Sequence, residues 1–252
     1  NPNKAFYNPN ETAQIAIGVL DEKGEMVCNA NVVLTITKPD GTKEEKRTNN
    51  NSITVTKQCH SKELSIEPDY ATSVKLSDEG SYILDLKSTT RNGSYQIQDV
   101  IKVSRSIDFD IERSSATRLY PKNQYPMDIT ILANENFKGT ASEIVPSSFA
   151  IFKTKQDGKD TDYAAKIVEK ENYRLINWNV DWKKGQKYTL SYIYKPPLKS
   201  PDFFLLGNLK FYPRKSVSES AETGVLFEEQ RYWQLANDAT VTTLTSADTS
   251  PW

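Results

Sequence analysis

Histidine is almost missing from this chain, with one residue, His60, among 252. A Ser-His-Asp relay would have to run through it. No G-x-S-x-G elbow occurs, and His60 adjoins Cys59 in a turn-rich stretch, so a surface or cysteine-flanking role is the expected one. Cys59 and His60 cannot serve as a nucleophile–base pair, because neighbours in extended chain point to opposite faces. Two cysteines and one histidine do not build a tetrahedral zinc site without carboxylates. The 10 glycines are mostly single, and none forms a phosphate-cradling loop. With 32 Lys and Arg against 33 Asp and Glu the net charge is −1, and no basic stripe marks a nucleic-acid surface. No apolar run approaches the roughly 18 residues of a membrane helix. The expectation is no enzyme, no cofactor, no metal, no nucleic acid and no membrane insertion in this segment. The opening "NPNKAFYNPN" has neither Met nor a signal-like apolar stretch, so a removed leader or a piece of a longer protein is expected.

What is abundant is strand-forming. There are 13 Tyr and 9 Phe but only 2 Met, and Val, Ile and Thr are frequent. Apolar residues alternate in "AQIAIGVL" (Ala13, Ile15, Ile17, Val19). They alternate again in "NVVLTITKPDG" (Val32, Leu34, Ile36), which stops at the Pro39-Asp40-Gly41 turn. Turns recur every several residues and no helical period persists, which predicts an all-β chain. The fold class expected is two tandem immunoglobulin-like antiparallel β-sandwiches. Residues 1–106 form the first and 107–236 the second, with a Thr/Ser-rich tail or linker over 237–252. "YKPPLKSPDFFLLGNLKFYP" reads as a long connection packing back on the second sandwich, and "GVLFEEQRYWQLAND" as a closing strand.

The stretch "SDEGSYILDL" sets Asp78, Gly80 and Tyr82 directly before an alternating strand. In immunoglobulin-like sandwiches a tyrosine so placed returns its hydroxyl to the backbone just upstream, pinning the crossover between sheets. Gly80 would supply an unusual backbone geometry and Asp78 would bond its own turn. The plainer alternative is an ordinary Asp-Gly turn. Cys28 and Cys59 are an even pair without metal-ligand spacing and suit a disulfide in an oxidising compartment; two buried free thiols are the other reading. "DEKGE" and "DGKDTD" are acidic but lack EF-hand spacing, and solvated turns account for them. Of the aromatics, Trp182, Tyr232 and Trp233 are candidate ligand contacts, an exposed platform of the kind on which sugars stack; core packing is the alternative for Trp178 and Trp182.

"INWNVDWKKGQKYTLSYIY" resembles the W-x-V … G-x-x-x-T-L-x-Y ending of bacterial surface repeat domains of the DUF11 type. "MDITILANENFKGTASEIVPSSFAI" is similar to that family's opening, with "SEIVPSSF" in place of its usual Asp-x-Leu-Pro. "SSATRLYP" and "EEQRYWQLAND" resemble segments of very large secreted proteins of Patescibacteria. "YNPNETAQIAIGVLDEKGEMV" and "DEGSYILDL" resemble macroglobulin-like and other immunoglobulin-like modules. The resemblance implies an extracellular or cell-surface location and no shared catalytic residues. It implies a structural or adhesive role, with other copies of the chain, neighbouring surface-protein domains or a component of a host or partner cell as partners. A carbohydrate-binding module is the alternative.

Overall fold

The computed structural model describes residues 1–57, 59, 66–91, 93–119, 123–161, 165–199, 202–214 and 224–237. His60 and the tail from residue 238 onward lie outside the described residues. Apart from a 3-10 turn at Thr48–Asn50, every regular element among the described residues is a strand.

The first eight strands are β1 (Phe6–Tyr7), β2 (Thr12–Ile17), β3 (Asn31–Thr37), β4 (Lys43–Arg47), β5 (Thr54–Val55), β6 (Tyr70–Lys75), β7 (Gly80–Thr90) and β8 (Gly93–Val103). They form a five-stranded sheet, β1-β8-β7-β3-β4, facing a three-stranded one, β2-β6-β5. Period-two alternation sends Val32, Leu34 and Ile36 of β3 and Tyr82 and Leu84 of β7 to one side. There they meet Ala13, Ile15 and Ile17 of β2 in a buried cluster. Fully burying such aliphatic side chains stabilises by about 1.5–3 kcal/mol each.

The remaining strands are β9 (Phe109–Ser115), β10 (Arg118–Leu119), β11 (Tyr125–Ala133), β12 (Phe137–Pro146), β13 (Ala150–Gln156), β14 (Lys159–Asp160), β15 (Ala165–Glu169), β16 (Tyr173–Trp182), β17 (Lys187–Lys195), β18 (Asp202–Leu206), β19 (Leu209–Pro213), β20 (Phe227–Glu228) and β21 (Trp233–Asn237). Sheets β14-β13-β17-β11-β9 and β15-β16-β12-β19-β20 face each other, and a three-stranded ribbon, β10-β21-β18, adds to them. The core between them is rich in rings. Phe109 meets Phe211 edge-on at 4.8 Å, and Trp182 meets Phe211 at 5.0 Å and stacks on Tyr188 at 5.7 Å.

Two sequence expectations need correction. Residues 195–213 are not one long connection. Leu206 is buried and Phe204 packs on the core at one end, Leu209 and Phe211 are buried at the other, and the chain between them makes strands β18 and β19. Asn237, assigned to the tail, is the buried last residue of β21.

At the Asp78–Tyr82 corner, the buried Tyr82 hydroxyl accepts a hydrogen bond from the Asp78 amide at 3.0 Å. Gly80 sits at φ +132°, and a Cβ there would lie 2.8 Å from Cβ of Pro39, so both conformation and space require glycine. Tyr7 and Tyr188 do the same locally, accepting from the amides of Lys4 at 3.0 Å and Lys183 at 2.8 Å. Tyr82→Phe is expected to cost about 1 kcal/mol, the net worth of one hydrogen bond. Gly80→Ala should cost more, because Pro39 must shift. Urea unfolding of the two variants against the wild type measures both.

Candidate functional site at the junction of the sandwiches

The polar chemistry of this molecule gathers where the two sandwiches meet. Its first component is the N-terminal stretch, which lies along both. Pro2 forms a bridge to Ile15 of β2 and Lys4 one to Glu112 of β9. Asn3 Oδ1 accepts from the Gln14 amide at 2.9 Å, while the Asn3 carbonyl accepts from the Arg113 amide at 2.9 Å. Asn3 Nδ2 donates to Glu112 at 2.9 Å. Asn1 exchanges two 2.8 Å hydrogen bonds with the backbone of Gln234, and Arg231 donates to the Pro2 carbonyl. Short polar side chains suit this strap, because Asn carries both a donor and an acceptor and satisfies edges of opposite need.

The second component is a buried ion pair, Asp69–Arg118. Asp69 directly precedes β6 in the first sandwich, and Arg118 opens β10 in the second. Arg118 Nε lies 3.0 and 3.1 Å from the two carboxylate oxygens, and Nη2 lies 3.0 Å from Oδ1. Both side chains are almost wholly out of water. The planar guanidinium fork matches a carboxylate as a lysine would not.

The third is Lys4, whose Nζ is 2.9 Å from Asp110 and 3.2 Å from Glu11. Burial works against its charge, but bonds to Asp110 and Glu11 outweigh it and hold its pKa above the ordinary lysine value. Burial pushes Asp110 up as well, so pairing with Lys4 only partly offsets the loss of hydration at that carboxylate.

Beneath the junction lies Arg113 on β9, fully buried. Nη1 and Nη2 fork onto Glu143 of β12 at 2.7 and 2.9 Å, and Nε and Nη2 hold Glu229 at 2.8 and 2.6 Å. Burial alone would depress Arg113; the charges of Glu143 and Glu229 reverse this and drive its pKa well above the ordinary value. Burial raises Glu143, with Arg113 opposing, and the Tyr192 hydroxyl adds a 3.3 Å bond to it. A single cation thus ties one main sheet of the second sandwich to the other and fixes the segment that leads into β21.

The residues singled out from sequence fall elsewhere. Cys28 and Cys59 are joined by a disulfide across a sequence separation of 31. Asp78, Gly80 and Tyr82 bond within the first sandwich. The aromatic platform is not there. Trp182 is 1% and Trp233 3% exposed, while Tyr232 is 45% exposed. Trp182 shares its inward parity on β16 with Ile176, Trp178 and Val180, so it belongs to the core. The Trp233 indole N–H donates to the Ala116 carbonyl at 2.8 Å, with the Arg231 guanidinium 5.6 Å from its ring. Its neighbour Tyr232 faces the other way. Of the acidic loops, Asp21 Oδ1 accepts from the Lys23 and Glu25 amides at 2.9 Å and Asp157 from the Thr189 amide at 2.8 Å, both structural uses. No group of three or more His, Cys, Asp or Glu able to hold a metal ion occurs among the described residues.

Sequence reasoning passed over Asp69, Arg113, Arg118, Glu143 and Glu229. A signal existed for two of them. Phe109, Ile111, Arg113 and Ser115 share one parity, as do Ala141, Glu143 and Val145, so each strand puts an opposite charge on its core face.

No protein-family model matches this chain, and no curated protein does. Solved structures similar to it include a chitinase of Bacillus thuringiensis, at 15% identity and TM-score 0.25, covering 78% of this chain and 26% of that one. The collagen adhesin of S. aureus matches at 9% identity and TM-score 0.29, over 94% of this chain and 90% of that chain. The C-terminal domain of an antigen I/II-family protein of Streptococcus pyogenes matches at 8% identity and TM-score 0.31, over 94% and 95%. This chain therefore spans about a quarter of the chitinase. Likeness at this level carries no argument about what the chain does.

Arg118→Met removes the guanidinium that holds Asp69 across the junction and is expected to cost about 3–5 kcal/mol in urea unfolding. Lys4 gives a pH signature. Its folded pKa lies above 10.5, so its contribution is complete below that value and fades as pH rises through the folded one. Relative to Lys4→Met, the wild type should therefore lose stability as pH rises above about 10.5, which chemical unfolding at increasing alkaline pH measures. Parallel curves for the two proteins would contradict the assignment.

Proposed function

We propose that this chain is a non-catalytic, extracellular structural or adhesive module of a bacterial surface protein or filament, in which the junction holds two β-sandwiches at a fixed mutual orientation. The observation that carries this is where the chain puts its buried charge. Asp69–Arg118 and the Asn1–Lys4 strap span the two sandwiches, and burying charge is costly unless the geometry is held. A load-bearing or presenting module needs such a joint, since a bare linker would let the units swing. The Cys28–Cys59 disulfide suits an oxidising compartment. No helix among the described residues is long and apolar enough to cross a membrane.

The kinship with DUF11-type repeats over the second sandwich, and with secreted proteins of Patescibacteria, belongs to this proposal and rests on the motif residues quoted above. So does the boundary at 106, which falls between the two buried clusters, Tyr7–Val103 and Phe109–Leu235; the second sandwich runs on through Asn237. The carbohydrate-binding alternative loses its support, because the two tryptophans it needs are in the core. Partners are expected to be other copies, neighbouring surface domains or a component of another cell, engaged through edges and loops.

Electron microscopy of the purified native protein, combined with a glycan array, tests the reading. Two-lobed particles of constant bend, or fibres built from them, with an array free of signal are the expected result. Glycan binding abolished by Tyr232→Ala would contradict it.

A further inference from the structure

The first sandwich leaves much of one edge of β8 open. β1 pairs with β8 only at Lys102 and Val103. From Gly93 to Ile101 no strand among the described residues pairs along that edge. The Lys102 amide donates across it to Ala5, so Ser94, Gln96 and Gln98, which share the parity of Lys102, turn their backbone groups the same way. The side chains between them are uncovered too. Tyr95 and Ile97 have the parity of the buried Ile101 and Val103 and so lie on the core face, yet they are 50% and 51% exposed. Opposite them, β18 of the second sandwich presents Phe203, 72% exposed. A groove of about 560 Å³ lies between, lined also by Val19 and Leu20.

An open edge is a template for another strand, and proteins guard it with charge, with proline or with cover. The outer strand β4 is guarded by charge, reading Lys43-Glu44-Glu45-Lys46-Arg47. Ser94-Tyr95-Gln96-Ile97-Gln98 carries neither charge nor proline, which leaves cover. The chain brings a segment to the right place. β21 ends at Asn237, which stands opposite Asp202 in the β18–β21 ladder, and Asp202 and Phe203 line the groove. The backbone thus leaves the second sandwich at the rim of the groove. The residues that follow, Ala239-Thr240-Val241-Thr242-Thr243-Leu244-Thr245, lie outside the described residues. As sequence they are uncharged and β-branched at five of seven positions, a strand-forming composition. Six or seven residues of extended chain reach roughly 20 Å, enough to run along Ser94–Gln98.

We propose that residues 239–245 of this chain occupy the groove as a strand added to the open edge of β8, with their apolar side chains against Tyr95, Ile97 and Phe203. Backbone bonds to Gln96 and Gln98 supply the ladder, and burial of the three exposed side chains supplies the drive. Tethering at Asn237 gives the segment an effective concentration on the order of millimolar, so a weak pairing suffices. The inference goes beyond the functional reading above, which needs only the junction. It gives the tail the task of closing an edge that would otherwise recruit foreign strands.

The test is hydrogen exchange of the full chain, read amide by amide by NMR. Slow exchange is expected at Gln96 and Gln98 and within 239–245. Val241→Asp combined with Leu244→Asp touches no residue of either buried cluster and should speed exchange at both places by about tenfold or more. Ile97→Ser, at an exposed position, should speed exchange within 239–245 as well. Fast exchange of 239–245 in the wild type, or Gln96 and Gln98 untouched by the tail substitutions, would overturn the proposal. A dimer in sedimentation at the same concentration, dissociated by the tail substitutions, would also overturn it, by making a second copy the occupant. Wild-type exchange rates in β6 and β9 of the variants separate failure of this site from failure of the junction.

Discussion

A carboxylate and a guanidinium withdrawn from water must find each other, and the rest of this molecule is arranged around two such meetings. Asp69–Arg118 joins one sandwich to the next, and Arg113 with Glu143 and Glu229 joins the two main sheets of the second. Buried pairs of this kind add little net stability compared with hydrophobic residues of the same shape, because desolvation consumes most of the Coulombic gain. What they do contribute is intolerance of misalignment. An apolar interface can slide by an ångström at small cost, whereas a forked guanidinium cannot slide without leaving charge unpaired in a dry site.

The two meetings are linked through the chain. Arg113 and Arg118 stand five residues apart, on β9 and at the start of β10. The Arg113 amide also holds the Asn3 carbonyl of the strap. Glu229, held by Arg113, leads through Arg231 to β21, whose Trp233 and Gln234 bond Ala116 and Asn1. Position in the second core is thereby passed to the junction through short covalent paths. The strap also covers the outer strands β2 and β9, whose backbone groups would otherwise be open to pairing with foreign strands.

Much of the architecture was legible in the sequence, because period-two alternation is a local signal. Val32, Leu34 and Ile36, or Ile176, Trp178, Val180 and Trp182, declare strand and facing at once. The Asp78-x-Gly80-x-Tyr82 spacing is equally local, and in the structure its tyrosine bonds its own corner. The junction was not legible, for the opposite reason. Asp69 and Arg118 are 49 residues apart, each in a polar stretch, and nothing in either names the other. Parity could have flagged Arg113 and Glu143 as inward charges. The aromatic residues misled through the same property that makes them useful, since a large ring serves a sugar platform or a core equally well and only the packing of β16 and β21 distinguishes the two.

Fixed orientation of the two sandwiches is the claim on which the functional reading stands. Spin labels on cysteines introduced at the exposed Thr54 and Lys159, one in each sandwich, report it directly by double electron–electron resonance, the native cysteines being tied in their disulfide. The account predicts one narrow distance distribution in the otherwise wild-type chain, broadening when Arg118→Met is added. A broad distribution without that substitution would contradict it.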